Sequence, residues 1–303
     1  VYIRGAKAHQ TGVINSHWLV IMPTLRLKPE EEDYAIVGAL PLDAPGITYV
    51  VGRQSCDTRS LEDGDIDAGN VHYSGQEALV IFDDAFIPNE FIFMDGETEF
   101  SAMLVERFTA GHRRSYVCKS GVGDVLIGAA ATVAEYNGVE QASHIREKLV
   151  EMTHLNEIIY ATGIASSSQG KLTPSGAFLC DQLLANVCKQ SVTRITYEMA
   201  RLAQDLAGGL LVTLPSEADY HHPEIGPQLD KYLKGREDVP TENRMRILRL
   251  IENLTLGRNA VGYLTESLHG AGSPQAQRIQ IQRQMDLEMK QQLAKKLAGI
   301  EGI

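Results

Sequence analysis

With 303 residues, the chain is long enough for two packed units. Its 44% hydrophobic and 22% charged residues exclude a disordered or fibrous protein, and a formal charge of −11 argues against a nucleic-acid groove, which needs a basic face. No run approaches the roughly 20 apolar residues of a spanning helix and no signal-peptide pattern opens the chain, so a soluble, cytoplasmic protein outside the membrane is expected.

The chain begins at Val1 in strand-like sequence, and a preceding segment is expected. The first hundred residues read as β. Short β-branched or aromatic runs occur at Val13-Ile14, Trp18 to Met22, Tyr34 to Val37, Ile47 to Val51 and Ala78 to Phe82. Turn clusters separate them at Lys28-Pro29, Pro41, Ala44-Pro45-Gly46, Glu62-Asp63-Gly64-Asp65 and Pro88-Asn89. Such spacing, with no helical pattern between, indicates a small antiparallel barrel or sandwich over 1–97.

From about Thr98 the period becomes helical. Met103, Leu104, Phe108, Val125, Leu126, Ala129 and Val133 recur at that spacing, and Asn137-Gly138 supplies a stop. Further helices are expected over Glu140 to Ser167, Ser175 to Ala207, and Thr241 to Thr255 with Thr241 as N-cap. Residues 214–233 read as loop with short helical pieces, and a closing helix over Ser273 to Ala298 opens on Ser-Pro. The segment 98–303 is therefore expected to be a helical bundle, and the whole chain α+β.

Chemistry-bearing residues gather in Val105 to Asn137. His112, Arg113, Arg114, Tyr116, Cys118 and Lys119 fall together just before an apolar, small-residue helix, so a buried element presents polar groups there. A solvated basic turn beside a core cysteine is the plainer alternative. The four cysteines, Cys56, Cys118, Cys180 and Cys188, lack CxxC spacing and read as reduced thiols. Arg4 to Gly12 is rich in hydrogen-bonding groups flanked by glycine, either a polar β-turn or a cofactor edge, without a phosphate-loop pattern. Gly208-Gly209 ends a helix: a C-cap explains one glycine, and a ligand or another chain could account for both. Glu266 and His269 precede a Gly-rich link into a helix N-terminus at Ser273, where NH groups can meet an anion; a surface pair is the alternative. Glu77 opens a strand, as an edge residue or a further site carboxylate.

Taken together, RGAKAHQTG from Arg4, GRQSCDTR from Gly52, GQEALV from Gly75, VGDVLIGAAA from Val122, LLANVCKQ from Leu183, AGGLLVTLPSEAD from Ala207 and TESLHGAGSPQAQR from Thr265 resemble the 4-hydroxybutyryl-CoA dehydratase/vinylacetyl-CoA Δ-isomerase family. The wider superfamily holds the flavin-dependent 4-hydroxyphenylacetate 3-monooxygenases, with an acyl-CoA dehydrogenase-like fold. The resemblance implies a lyase and isomerase: radical dehydration of 4-hydroxybutyryl-CoA to crotonyl-CoA with FAD and a [4Fe-4S] cluster, in a homotetramer. By the same resemblance, His112 and Cys118 are cluster ligands, and His112, Tyr116, Lys119, Glu77 and Glu266 are catalytic, with Glu266 or His112 moving protons and Tyr116 and Lys119 orienting substrate or flavin. Lys7, Gln10 and Thr11 meet the flavin, and Gly208, Gly209, Ser273 and Gln275 its phosphate or adenosine end.

One departure stands out. A single Val117 separates Tyr116 from Cys118 where the cluster-binding enzymes have a Gly pair. On an unbroken α-helix the six steps from His112 to Cys118 leave the side chains about 120° apart, so joint ligation requires a break near Ser115 to Val117. Alternatives are a cluster-free flavoenzyme of the same fold, such as a monooxygenase using FADH2 and dioxygen, and a non-catalytic assembly subunit.

Overall fold

A computed structural model describes residues 1–52, 65–66, 77–257 and 260–300. Cys56, the turn at Glu62-Asp63-Gly64 and Gly75-Gln76 lie outside the described residues.

Strands β1 (Tyr2–Lys7), β4 (Ile47–Val51) and β5 (Ala78–Phe86) form one antiparallel sheet in the order β1-β5-β4, and β2 (Trp18–Ile21), β3 (Ile36–Pro41) and β6 (Ile92–Asp95) form a second in the order β2-β3-β6. Over the first half of β5 the side chains alternate: Ala78, Val80 and Phe82 point inward, Leu79 and Ile81 outward. The inward set packs on Val13 and Leu40, with Ile3, Leu19, Ile21 and Ile47 closing the space between the two sheets. The expected sandwich is present.

Several local expectations are corrected. Val13-Ile14 lies in a 3₁₀ turn, Val13–Asn15, entered through Gly12 at φ 68°, because Val13 caps the sheet core instead of pairing. Tyr34 ends another 3₁₀ turn, Pro29–Tyr34, and the strand starts at Ile36. The strand-like opening is β1, with an irregularity in its pairing between Ile3 and Gly5, whereas β6 had no clear signal.

The helical part begins with α1 (Ser101–Ser115) and α2 (Lys119–Tyr136), joined by a 3₁₀ turn at Tyr116–Cys118. Gly138, at φ 68°, confirms the expected stop. Helix α3 (Ser143–Ser168) leads into a small hairpin of β7 (Lys171–Leu172) and β8 (Phe178–Leu179), so the third helix, α4 (Gln182–Ala207), starts seven residues later than the expected Ser175. Asp181 caps it, accepting from the Leu184 NH. Short helices α5 (Leu210–Thr213), α6 (Glu217–Tyr220) and α7 (Gly226–Tyr232) fill the loop-rich segment, and α8 (Thr241–Thr255) has the expected bounds. Thr241 is not its cap: its hydroxyl donates to the Asp230 carbonyl, tying α8 to α7. A π-helical turn at Val261–Thr265 precedes α9 (Glu266–His269). The closing helix is two, α10 (Pro274–Gln284) and α11 (Leu287–Leu297), broken at Asp286 with φ 42°. Ser273 caps α10 as expected, accepting from the Ala276 NH.

Thr98–Tyr136 forms a run long and apolar enough by length and composition to cross a membrane, contrary to the sequence expectation. Its apolarity serves the bundle. Leu126, Ala129, Ala130 and Val133 are buried in the core formed with Met152 and Ile159 of α3, Val192 and Met199 of α4, and Met245, Leu248 and Ile251 of α8.

The turn between α1 and α2 is fixed by a notch. A Cβ placed at Gly163 of α3 would stand 2.5 Å from the Val117 Cβ, so the missing side chain leaves the room that Val117 fills. In an ordinary helix interior Gly→Ala gains about 1 kcal/mol, whereas overpacking costs about 1–3 kcal/mol. Gly163→Ala is therefore expected to lower the urea midpoint in the native chain and to raise it in a Val117→Gly background, where the opposing Cβ is gone. Stabilisation by Gly163→Ala in both would show that Val117 does not depend on the notch.

Candidate active site

Tyr116, Lys119 and Glu266 meet although 150 residues separate the first and last. The Tyr116 hydroxyl donates to Glu266 Oε1 at 2.8 Å, and the Lys119 ammonium reaches Glu266 Oε2 at 2.7 Å and the Gly262 carbonyl at 2.8 Å. The π-helical turn makes this possible. Its wider coil, a form common at functional sites, leaves the Gly262 carbonyl to accept from Lys119 and delivers Glu266 at the first position of α9. Tyr116 is 4% exposed. Burial, then the charge of Glu266 and the hydrogen bond to it, push its phenol well above the usual tyrosine range, so it acts as a neutral donor.

Glu77 adds last to that upward push on Tyr116, so the sheet edge lies within electrostatic reach of the helical corner. The pairing of β1 with β5 explains why. Lys7 lies opposite Val80, so the chain beyond it runs past the start of β5; the Gln10 NH donates to the Ala78 carbonyl and the Thr11 hydroxyl to Glu77 Oε1 at 2.6 Å. His9, at φ 62°, and Gly12, at φ 68°, turn the backbone at this edge. The Lys7 ammonium donates to the Met22 carbonyl at 2.7 Å, and burial pushes its pKa down. The Gln10 side chain donates to the Ala8 carbonyl.

His112 and Cys118 are both exposed. The required break is present as the 3₁₀ turn. Three of the six steps between them turn by about 120° in place of 100°, which narrows their angular separation to about 60°. His112 stands in a crowded corner, its ring 5.6 Å from that of Tyr116. Desolvation lowers its pKa against the opposing pull of Glu266, so the imidazole is neutral at neutral pH and has a lone pair to offer. Among the described residues no group of three or more His, Cys, Asp or Glu side chains is arranged to hold a metal ion. His112 and Cys118 supply donor types that iron accepts, and no third such side chain joins them among the described residues. Cys118, Cys180 and Cys188 are free thiols.

The other expected residues are not gathered here. Gly208, at φ 70°, serves as the C-cap of α4, and Gly209 is the N-cap residue of α5; both are exposed. The Ser273 hydroxyl is committed to capping, Gln275 is exposed, and His269 faces solvent without joining Glu266 in the corner.

Beneath the corner lie Arg113, named in the sequence without a role, and Lys189, which had been missed. Arg113 is buried and donates to the Ala271 carbonyl at 3.0 Å and to Asn186 Oδ1 at 2.8 Å, fastening α1 to α4 and to the link before α10. Lys189 of α4 is fully buried, with its ammonium 4.1 Å from the Tyr116 ring centroid. The signal for Lys189 was present: it lies on the stripe Ala185, Lys189, Val192, Thr196, where helical spacing predicts apolar side chains.

Comparison with known proteins follows the same outline. The family models for the 4-hydroxyphenylacetate 3-hydroxylase N terminal and C terminal regions match residues 1–94 and 101–299. The chain is 55% identical to a 4-hydroxybutyryl-CoA dehydratase/vinylacetyl-CoA-Delta-isomerase of Clostridium aminobutyricum over 99% of its own length and 64% of the relative's. It superposes with TM-score 0.98 and 68% identity on an oxygen-tolerant archaeal 4-hydroxybutyryl-CoA dehydratase from N. maritimus, covering 100% of this chain and 61% of that one. A glutaryl-coenzyme A dehydrogenase shares the fold at TM-score 0.56 and 13% identity, covering 99% of this chain and 59% of that one. The chain thus spans less than two thirds of the length of these relatives.

Proposed function

We propose an activity from one premise: the chain belongs to the 4-hydroxyphenylacetate 3-hydroxylase family. The activity is that of a lyase and isomerase, dehydrating 4-hydroxybutyryl-CoA to crotonyl-CoA and isomerising vinylacetyl-CoA. The observation that carries the reading is the Tyr116-Lys119-Glu266 constellation, with the His112 ring 5.6 Å from that of Tyr116 and Cys118 adjoining Lys119 in the chain. The similarity to the clostridial and archaeal dehydratases supports the same reading.

In this proposal Glu266 takes the substrate's α-proton, leaving an enolate, and Tyr116 and Lys119, already hydrogen-bonded to it, hold the carboxylate in place for that transfer. Lys7, Gln10 and Thr11 hold the flavin ring; the Thr11 oxygen keeps lone pairs free while its proton is given to Glu77, and the desolvated Lys7 ammonium suits an electron-rich ring edge. Gly208, Gly209, Ser273 and Gln275 are proposed for the distal end of FAD, where open backbone at Gly208-Gly209 permits close approach. His112 and Cys118 ligate the [4Fe-4S] cluster. When bound, FAD supplies one-electron redox chemistry and the cluster a Lewis-acidic iron for the hydroxyl leaving group.

The division into a flavin-side β-domain, 1–97, and a helical domain, 98–303, belongs to the same proposal, as do a cytoplasmic location and a homotetramer. The exposed Leu287, Met289, Leu293 and Leu297 of α11 provide an apolar stripe for another copy.

The deciding experiment is anaerobic purification of the full-length protein with iron, sulfide and flavin quantified. Roughly four irons and one flavin per chain are expected. In His112→Ala and in Cys118→Ala, iron content and dehydration should both be lost. Flavin without iron in the native protein would move the assignment to a cluster-free flavoenzyme, and dehydration retained in both variants would remove these residues from the ligand set.

A further inference from the structure

Helix α4 carries a lysine where its own pattern calls for a hydrocarbon. Lys189 shares the buried stripe with Ala185, Val192 and Thr196, and none of its surface reaches solvent. A buried ammonium is costly unless compensated. No carboxylate lies within ion-pair distance of it among the described residues; its ammonium donates instead to the Ser267 carbonyl and sits 4.1 Å from the Tyr116 ring centroid. Lys119, the other cation near that ring at 5.6 Å, is already committed to Glu266 and Gly262.

We propose that Lys189 is a positioning residue for Tyr116: its ammonium, held against the π face of the phenol ring, fixes the ring and strengthens its hydroxyl as a donor to Glu266. A cation over an aromatic face is attracted by the ring's electron density and withdraws it from the hydroxyl oxygen. Ser267 is the residue after Glu266, so the contact to its carbonyl anchors the acceptor side of the same hydrogen bond. The proposal deepens the reading of Tyr116 and Glu266 as proton-handling groups and rests on that reading only for its effect on turnover.

Tyr116 from the 3₁₀ turn packs against Lys189, and the titratable groups within electrostatic reach of it are His112 and Arg113 from α1, Lys119 from α2, Glu266 from α9 and Cys188 of α4 itself. Burial pulls its pKa down to about 8, with Glu266 opposing and Lys119 and Arg113 adding. The charge is therefore present at neutral pH and is lost as pH rises through that value.

The test uses full-length protein carrying ¹³C-labelled tyrosine, with the Tyr116 Cζ resonance assigned by its loss in Tyr116→Phe. In the wild type this resonance should step as pH passes about 8. Lys189→Met should remove the step and hold the resonance, at neutral pH, at its high-pH position, while Tyr220 and Tyr232 stay unmoved. Lys189→Arg, which keeps the charge, should restore the low-pH position. An unmoved Tyr116 resonance in folded Lys189→Met, or equal shifts at the distant tyrosines, would overturn the proposal. Should Lys189→Met fail to fold, Lys189→Gln supplies the same comparison, and an unmoved Tyr116 resonance in it rejects the proposal. None of these readouts needs flavin, iron or turnover, so they stand even if the dehydratase reading fails. Where turnover is measured, Lys189→Met should lower kcat with KM little changed and add little to Tyr116→Phe; additive losses would count against action through the phenol.

Discussion

Glu266→Gln should lower dehydration by a factor on the order of 10²–10⁴, the range for a positioned proton-transfer group, while leaving the fold and iron content nearly intact. Both carboxylate oxygens are engaged, one by the Tyr116 hydroxyl and the other by the Lys119 ammonium. Glutamine keeps the volume and can still accept at one oxygen, but it presents an NH₂ to one of two donors and cannot take up a proton. Loss of the negative charge leaves Lys119 and Lys189 facing each other uncompensated and removes the influence that raises the pKa of His112. The pair is only partly screened, with side chains 13% and 23% exposed. Its loss should therefore cost stability on the order of 1 kcal/mol, between exposed and buried ion pairs. The separation of a large kinetic effect from a small thermal one is the diagnostic feature. Turnover within about threefold of wild type would take Glu266 out of the chemistry.

The elements legible in the sequence were those whose local pattern agreed with their packing. The strand at Ala78 alternates because one face meets the sandwich core, and α8 has its expected bounds because Pro240 and Leu256 bracket a regular apolar period. What escaped was decided by distant partners. Nothing near Val117 announces a 3₁₀ turn; the reason is the Gly163 notch, on another helix. Ser175 to Cys180 looked helical in continuity with α4, yet the backbone pairs as a hairpin there and the helix waits for the Asp181 cap. Tyr116, Lys119 and Glu266 were named through family resemblance, but their mutual contact depends on a π-helical turn that periodicity does not reveal. Lys189 was the reverse case: its place on an apolar stripe was legible in the sequence but went unread, and only the position of the Tyr116 ring gives it a reason.

Gly270→Ala is expected to be the most damaging single methyl addition in the site. Gly270 sits at the end of α9 with φ −57° and ψ 145°, a conformation open to any residue, so the backbone does not forbid alanine. The neighbour does. A Cβ there would overlap the Tyr116 hydroxyl and stand 2.8 Å from Tyr116 Cζ and 2.9 Å from the Glu266 carbonyl oxygen. Tyr116 has no free direction in which to yield, being buried, bonded to Glu266 and covered by the Lys189 ammonium. Overpacking together with a lost charge-assisted hydrogen bond should lower stability by about 3 kcal/mol or more, and turnover should fall at least as far as in Tyr116→Phe. The control is the double variant Tyr116→Phe/Gly270→Ala. Removing the hydroxyl deletes the atom in closest conflict, so the second substitution should cost much less there than in the native chain, a coupling of about 1–3 kcal/mol in a denaturation cycle. Strict additivity, or a Gly270→Ala protein as stable as wild type with its Tyr116 resonance unmoved, would mean that the phenol is not confined against Gly270, and with it would go the case for a rigidly placed donor at Glu266.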